Sequence, residues 1–381
     1  MRKLLFIAVS FTPVLAQADN GTGSFGQSLG GICSAATPGN ALFTRCQEFL
    51  GAFDPQAATR IAAGQRLEEL PGQGRASTRN QQQDQIVSEN LGEGWSLFLS
   101  ADLGRLDRSK SFNEAAFDGS ADRFTGGLNY QVNTHWLLGL AINHTSETLD
   151  FDQSNSRNST SMNGALLTAN FSPLDQFSFD AYYGRFSGDT SNVRNINYRI
   201  ERTPGNFQNF ASQAFASPSV TRKLAGINGS WLWNKGAWSG GISLGMDQSK
   251  TKLDAYSETG GDGFGIDVQQ RNIKSRTGSL SFNVSKAYSL NWGVLVPNAR
   301  MGLKKEFDNP GRRLTVQLSQ DSSNTNIVFD TSDPDTQWGE VGVGVSLVMK
   351  KGHQAFFEYR QRFAHSFLQE RTVAVGWRME F

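Results

Sequence analysis

Few residues in this sequence stand at spacings that could do covalent chemistry. Gly241-Ile242-Ser243-Leu244-Gly245 matches the G-x-S-x-G pattern of a nucleophile elbow. That elbow needs a strand, a sharp turn and a helix, which together lift the serine toward substrate. Here the pattern lies inside an alternating run that reads as one strand, so Ser243 is expected to be structural. Gly260–Gly265 is glycine-rich, but a phosphate cradle needs a helix directly after it, and none is expected there. Of the four histidines, His135 and His353 fall at short turns, and His144 shares a face with Leu138, Leu140 and Ile142. His365, beside Ser366 and near Glu370, is the one base with a nucleophile or carboxylate close in sequence. An outer-rim hydrolase would have to be built on it. Cys33 and Cys46 are the only cysteines. A zinc site would need further ligands nearby, and this region has no histidine. In an exported chain the two are expected to form one disulfide. The sequence therefore predicts no catalytic residue, no metal site and no cofactor.

The remaining charged residues fall into a pattern that points away from catalysis. Asp102, Asp180, Arg300, Glu358, Arg360 and Arg378 each sit at every-second-residue spacing opposite an apolar face. Asp247, Lys304, Glu340, Arg362 and Glu380 do the same. If the apolar faces look outward, these charges line a wet lumen. Gly241, Gly245, Gly342 and Gly344 on the same inward faces would leave it roomy.

The bulk composition fits that arrangement. Charged residues make up 19%, aromatics 11%, and glycine contributes 40 of the 381 residues. Mean hydropathy is −0.41, which excludes a helical membrane protein. A membrane barrel can be polar on average because only alternate residues meet lipid. The net charge of +1 gives no concentrated basic surface for nucleic acid. Residues 1–18 read as a secretory signal peptide: Arg2 and Lys3, an apolar core from Leu4 to Leu15, and Ala16-Gln17-Ala18 as the cleavage site. Residues 19–93 form a short segment of different character, Gly/Ser-rich up to Gly31. Thr37-Pro38 opens an expected helix through Phe49 and Leu50, closed by Gly51. Asp54-Pro55 starts a second, over Gln56–Leu70, ended by Pro71-Gly72. Roughly 24 Å of helix at 1.5 Å per residue matches the ~25 Å apolar band of an outer-membrane barrel.

From residue 94 onward the period is two. Twelve strands are expected, from Trp95–Leu103 to Thr372–Phe381. Short connections such as Val132-Asn133-Thr134 and Lys350–His353 alternate with long polar ones such as Ser187–Ser219, Lys250–Asn272 and Phe307–Thr336. Long loops on one side and tight turns on the other are the outer-membrane barrel pattern. Closure would pair every backbone group, as lipid demands. Aromatics gather at the short-turn ends: Tyr130, Trp136, Phe171, Phe177, Trp231, Trp233, Trp238 and Phe381. Pro297, on an outward face, predicts a local bulge. The fold class is all-β: a single 12-stranded antiparallel transmembrane β-barrel over residues 94–381, preceded by a short helical N-terminal segment.

Several motifs carry a resemblance. N-W-G-V-L-V-P-N-A-R-M-G-L (Asn291–Leu303), E-V-G-V-G-V-S-L-V (Glu340–Val348), H-Q-A-F-F-E-Y-R (His353–Arg360) and the terminal G-W-R-M-E-F are similar to the late strands of autotransporter β-domains. The opening W-S-L-F-L-S-A-D-L-G (Trp95–Gly104) resembles their first strand. The likeness implies a Gram-negative outer-membrane barrel, a helix threading the pore ahead of strand one, and export of an N-terminal passenger. It implies that Val373, Val375, Trp377, Met379 and Phe381 form the C-terminal signal read by the barrel-assembly machinery, with periplasmic chaperones and outer-membrane lipid as partners and a monomer as product. The short segment ahead of the barrel holds no β-helix repeats and no hydrolase motif. The expectation is a passenger-poor barrel that anchors, exports or is plugged by its own N-terminal segment, with a rim hydrolase or a porin- or adhesin-like barrel as alternatives.

Overall fold

The computed structural model describes residues 28–29, 31–52, 94–110, 115–152, 154–308, 313–330, 335–350 and 352–380. The signal peptide, the expected helix after Asp54 and Phe381 lie outside them. Two helical pieces come first, α1 (residues 31–35) and α2 (Ala41–Leu50). In chain order the strands are β1 (Gly94–Arg108), β2 (Phe117–Gln131), β3 (Trp136–Phe151), β4 (Ser156–Leu174), β5 (Phe177–Thr203), β6 (Asn206–Ala216), β7 (Ser219–Lys235) and β8 (Trp238–Leu253). The short β9 (Tyr256–Ser257), β10 (Thr259–Gly260) and β11 (Ile266–Val268) follow. Then come β12 (Arg271–Lys286), β13 (Tyr288–Leu290), β14 (Gly293–Glu306), β15 (Arg313–Leu318), β16 (Ile327–Asp330), β17 (Gln337–Met349), β18 (His353–Phe363) and β19 (Leu368–Glu380).

Twelve of these close into an antiparallel barrel: β1 to β5, β7, β8, β12, β14 and β17 to β19. The seam pairs the first strand with the last, placing Leu97 opposite Met379, Leu99 opposite Trp377, Ala101 opposite Val375 and Leu103 opposite Val373. All eight point outward. The barrel is inside-out relative to a soluble sheet. Ile142 is 71% exposed, and Leu140, Leu167, Ile227 and Leu244 are more than half exposed. Inward, Asn129, Asn143, Thr160, Ser243, Asp247 and Glu358 are buried. Period-2 strands whose apolar face is exposed are stable only where that face meets lipid. The aromatic belt expected at the short turns is present, with Trp136 stacked on Phe171 at 4.6 Å and Trp95 against Tyr130 at 4.8 Å.

Three expectations need correction. Pro297 produces no bulge: it stays in register opposite Val345. The missing N–H instead coincides with a break at Ala287, between β12 and β13, across which the register is unchanged. The inward glycines do not leave empty room. A Cβ on Gly342 would stand 2.8 Å from Glu358 Oε1 and 3.1 Å from Arg300 Nε, so long side chains of neighbouring strands lie across the space it leaves. Finally, one long connection is largely strand. The stretch 187–219 is mostly strand, since β5 runs on to Thr203 and returns as β6. Its 27 residues, at about 3.3 Å each, far outreach an apolar band of ~25 Å.

Candidate functional site: the charged lumen and the outer cap

One wall of the lumen carries a chain of ion pairs. Arg300 on β14 meets Glu358 on β18 at 2.7 Å, spanning the intervening Gly342 of β17. Glu358 also lies 3.8 Å from Arg360, which pairs with Asp102 on β1 at 2.6 Å, across Ala374 of β19. Four of the six expected lumen charges therefore meet; Arg300–Glu358 and Arg360–Asp102 each cross a strand whose inward residue is small, and Glu358 and Arg360 share β18. Lys304 with Glu340 at 2.9 Å, and Arg362 with Glu370 at 2.7 Å, extend the same wall. Asp180 stands elsewhere, accepting from Asn170 at 2.6 Å and more distantly from Asn228. Arg378 is buried near the short-turn end. The strands from β2 to β8 add bonds between neutral groups: Asn143 donates to Thr125, Thr160 bonds Thr190 and Ser230 bonds Ser243. That last pair sits mid-strand, so the G-x-S-x-G match is sheet, not elbow. The ion pairs brace the wall from β14 to β1.

Of the five C-terminal signal positions, Val373, Val375, Trp377 and Met379 lie on the outward face of β19. Trp377 stacks on His353 at 5.7 Å.

The long-connection end carries a small folded cap that the sequence did not announce. Residues 28–52 sit on it, at the opposite end from Gly94. Leu29, Ile32, Cys33, Leu42 and Cys46 share one buried core with Ile196 and Ile200 of β5, Ala214 of β6, Val268 of β11, Val316 of β15 and Phe329 of β16. β16, β15, β11 and β9 form a separate four-stranded sheet over this core. Cys33 and Cys46 are joined as a disulfide, clipping α1 to α2.

Helix α2 starts later than expected, at Ala41, because Asn40 is its N-cap: its side chain accepts from Phe43 N at 2.7 Å. The barrel's connections supply the remaining end contacts. Gln320 Oε1 accepts from Leu42 N at 3.0 Å, and Arg202 Nη1 donates to the carbonyl of Glu48 at 2.6 Å. Arg45 reaches Asp262 at 3.3 Å and lies over the Phe210 ring. The glycine-rich stretch is the seat of this helix. Gly263 has φ +91°, and a Cβ there would lie 2.6 Å from Leu42 N, so only glycine allows so close an approach. Gln320→Ala removes one helix-end partner and is expected to cost the cap about 1 kcal/mol, read as faster protease cutting at residues 28–52.

Beneath the cap, Arg194 and Glu258 form a bidentate pair whose side chains are 6% and 4% exposed. Arg194 Nε donates to Glu258 Oε1 at 2.9 Å and its Nη2 to the carbonyl of Phe264, while Ile266 N donates to Glu258 Oε2. Nearby, burial pushes the Tyr198 hydroxyl up to about 12, against a smaller opposing pull from Arg45. Raising pH is therefore expected to leave the cap intact below about 10, the ordinary tyrosine value. It should loosen as pH rises from there through the folded value, seen as tyrosinate absorbance rising together with loss of protease protection.

His365 does not build a triad. Its Nδ1 is 2.9 Å from Asp335, but the Ser366 hydroxyl also donates to Asp335, at 2.9 Å, and not to the imidazole. The histidine side chain is 1% exposed, and Leu368 N donates to the same Nδ1. The cluster ties two connections together. Among the described residues no group of His, Cys, Asp and Glu is arranged to hold a metal ion.

Comparison with known proteins fits this geometry. The translocator domain of the autotransporter NalP from Neisseria meningitidis aligns with a TM-score of 0.56 at 14% identity, over 77% of this chain and 90% of that one. The beta domain of the Bordetella autotransporter Brka aligns at 0.53 and 14% identity, over 76% of this chain and 100% of that one. At such identity these show the fold. No curated protein matches the chain. The autotransporter beta-domain family model matches residues 97–360, and the chain belongs to this family of outer-membrane barrels.

Proposed function

We propose that this barrel exports and displays its own N-terminal segment, and that the displayed part is the disulfide-clipped cap. The observation that carries the reading is the position of α2. It is seated on connections at the long-loop end, which faces outside the cell in outer-membrane barrels, while β1 begins at the other end. The chain between Ala52 and Gly94 must join the two ends. A signal peptide at residues 1–18 would deliver the chain to the periplasm. There, chaperones and the barrel-assembly machinery would receive it, the latter reading the outward residues of β19. The product would be a monomeric barrel with no enzymatic role.

The test is an epitope at Asn20 probed with antibody on intact cells. Labelling of intact cells supports display; labelling only after the outer membrane is breached overturns it. Planar-bilayer conductance of the whole chain, compared with a chain lacking residues 19–93, reads the lumen separately. A stepwise increase on removal is expected.

A further inference from the structure

The edge of β6 is left largely unpaired among the described strands. β5 and β6 form a hairpin above the barrel, and its even-numbered face (Ile196, Tyr198, Ile200, Phe210, Ala214) packs on the cap core. The far edge of β6 meets β10 only at Ala214 and Phe215. Among the described residues no strand pairs with Phe207–Gln213 on that side. An exposed row of unpaired backbone donors and acceptors is a template for another strand, and proteins normally guard it with charge, proline or a bulge. Here the sequence N-F-Q-N-F-A-S-Q-A-F-A contains no charge and no proline, and the only register irregularity lies at the hairpin tip. The charges of β5 turn toward the hairpin itself: Arg199 lies over the Phe207 ring, Arg202 bonds Gln208 and the carbonyl of Glu48, and Glu201 accepts from Gly205 N.

We infer that the Phe207–Gln213 edge is a homophilic contact, pairing antiparallel with the same strand of a second copy of this chain. Charge selects this occupant. In an isologous contact each residue faces a residue of the same strand, so charges of one sign spread along the strand would be set against their like, which destabilises a sheet. A strand of Asn, Gln, Ser, Ala and Phe meets its own copy without that cost. It also offers no charge by which a different, charged strand could be chosen. A two-fold axis at Phe210 places Asn209 opposite Ala211 of the second copy.

The membrane then fixes which copies can meet. β6 runs from the hairpin tip back toward the barrel. Two barrels in one membrane are related by rotation about the membrane normal, which leaves both β6 strands descending. They cannot then be antiparallel. Antiparallel pairing needs an axis in the membrane plane, so the two copies sit in facing membranes. Antiparallel pairs are also the more stable per residue. The contact is therefore one between cells, or between vesicles, and it leaves the barrel monomeric within each membrane. It rests on the outward placement of the long-loop end.

The experiment uses cells carrying the full chain in two dye-labelled populations. Asn209 and Ala211 point away from the cap, so Asn209→Lys/Ala211→Lys and Asn209→Asp/Ala211→Asp spare its core. Cells with the natural chain should settle as mixed clumps. Each charged variant alone should lose clumping, and mixing the Lys and Asp variants should restore it. Heat-modifiable mobility on gels checks that both variants still form the barrel. Thr203→Cys, treated with an impermeant maleimide on intact cells, reports whether the hairpin is outside. Failure of this variant to take up the label overturns the placement and this inference with it. A labelled hairpin with no clumping overturns the inference alone. So does clumping that the charged variants retain, that mixing fails to restore, or that joins expressing cells to non-expressing ones.

Discussion

Ile142→Arg is expected to destabilise the barrel in a bilayer by about 2–4 kcal/mol, although the side chain touches almost nothing in the protein. Ile142 is 71% exposed on β3, in a patch with Phe124, Leu128, Leu140 and Leu167, all more than two-fifths exposed. On a soluble protein, a substitution at so open a position would fall within about ±0.5 kcal/mol. The sign of the environment, not the contacts, makes the difference. Ile142 lies six residues beyond Trp136, which stands in the aromatic belt. At about 3.3 Å per residue on a tilted strand, that puts it near the middle of the hydrocarbon. The check is the urea midpoint of folding into lipid vesicles, with His144→Arg as the comparison. His144 faces outward two residues further along β3 and already bonds Asn163. Nearer the interface, arginine should cost about 0–1 kcal/mol. Equal midpoints for the two variants would mean that the exposed face does not meet lipid.

The same physics explains why the barrel was legible in the sequence. Each crossing strand presents one face to lipid and one to water, so side-chain type alternates with a strict period of two, and the closing register Leu99–Trp377 and Leu103–Val373 follows from it. The lumen was half legible. Its charges could be assigned inward, but their pairing depends on which strands carry a small inward residue between them, as at Gly342 and Ala374, and spacing along one strand does not report that. The cap was hardly legible. Ile196, Tyr198 and Ile200 do alternate with Asn197 and Arg199, and Thr203-Pro204-Gly205-Asn206 marks a turn, so the β5–β6 hairpin had a signal. The polar residues that flank it give the whole of 187–219 the look of a connection. β9, β10 and β11 had none, being two or three residues each. β10 and β11 find partners in distant β6 and β15, and burial against Leu42 and Ile32 forms the structure that propensity alone does not. The glycine-rich stretch was visible as unusual. Its purpose could not be seen until α2 lay against it.

Arg194→Ala is expected to be the most damaging single change to the cap. The guanidinium is the counter-charge of Glu258, the pair is almost wholly buried, and its second bond, to the carbonyl of Phe264, fastens β5 to the turn that seats α2. Removing one partner of a buried pair strands the other charge, at a cost of about 3–5 kcal/mol. The carboxylate would keep the Ile266 N–H but lose its bidentate partner. The loss should stay local, because Arg194 lies beyond the point where β4 leaves β5, at Val193. Limited proteolysis should therefore cut residues 28–52 and the β9–β11 connection rapidly, while the barrel keeps its heat-modifiable mobility. A second variant separates charge from packing. Arg194→Met with Glu258→Leu removes both charges and keeps comparable volume, an exchange that often costs little or even stabilises. If the double variant is as protease-sensitive as Arg194→Ala, the pair acts through geometry that apolar side chains cannot copy, the bond to Phe264 above all. If it recovers protection, the cost lay in the stranded carboxylate, and the cap is held chiefly by its apolar core and its disulfide.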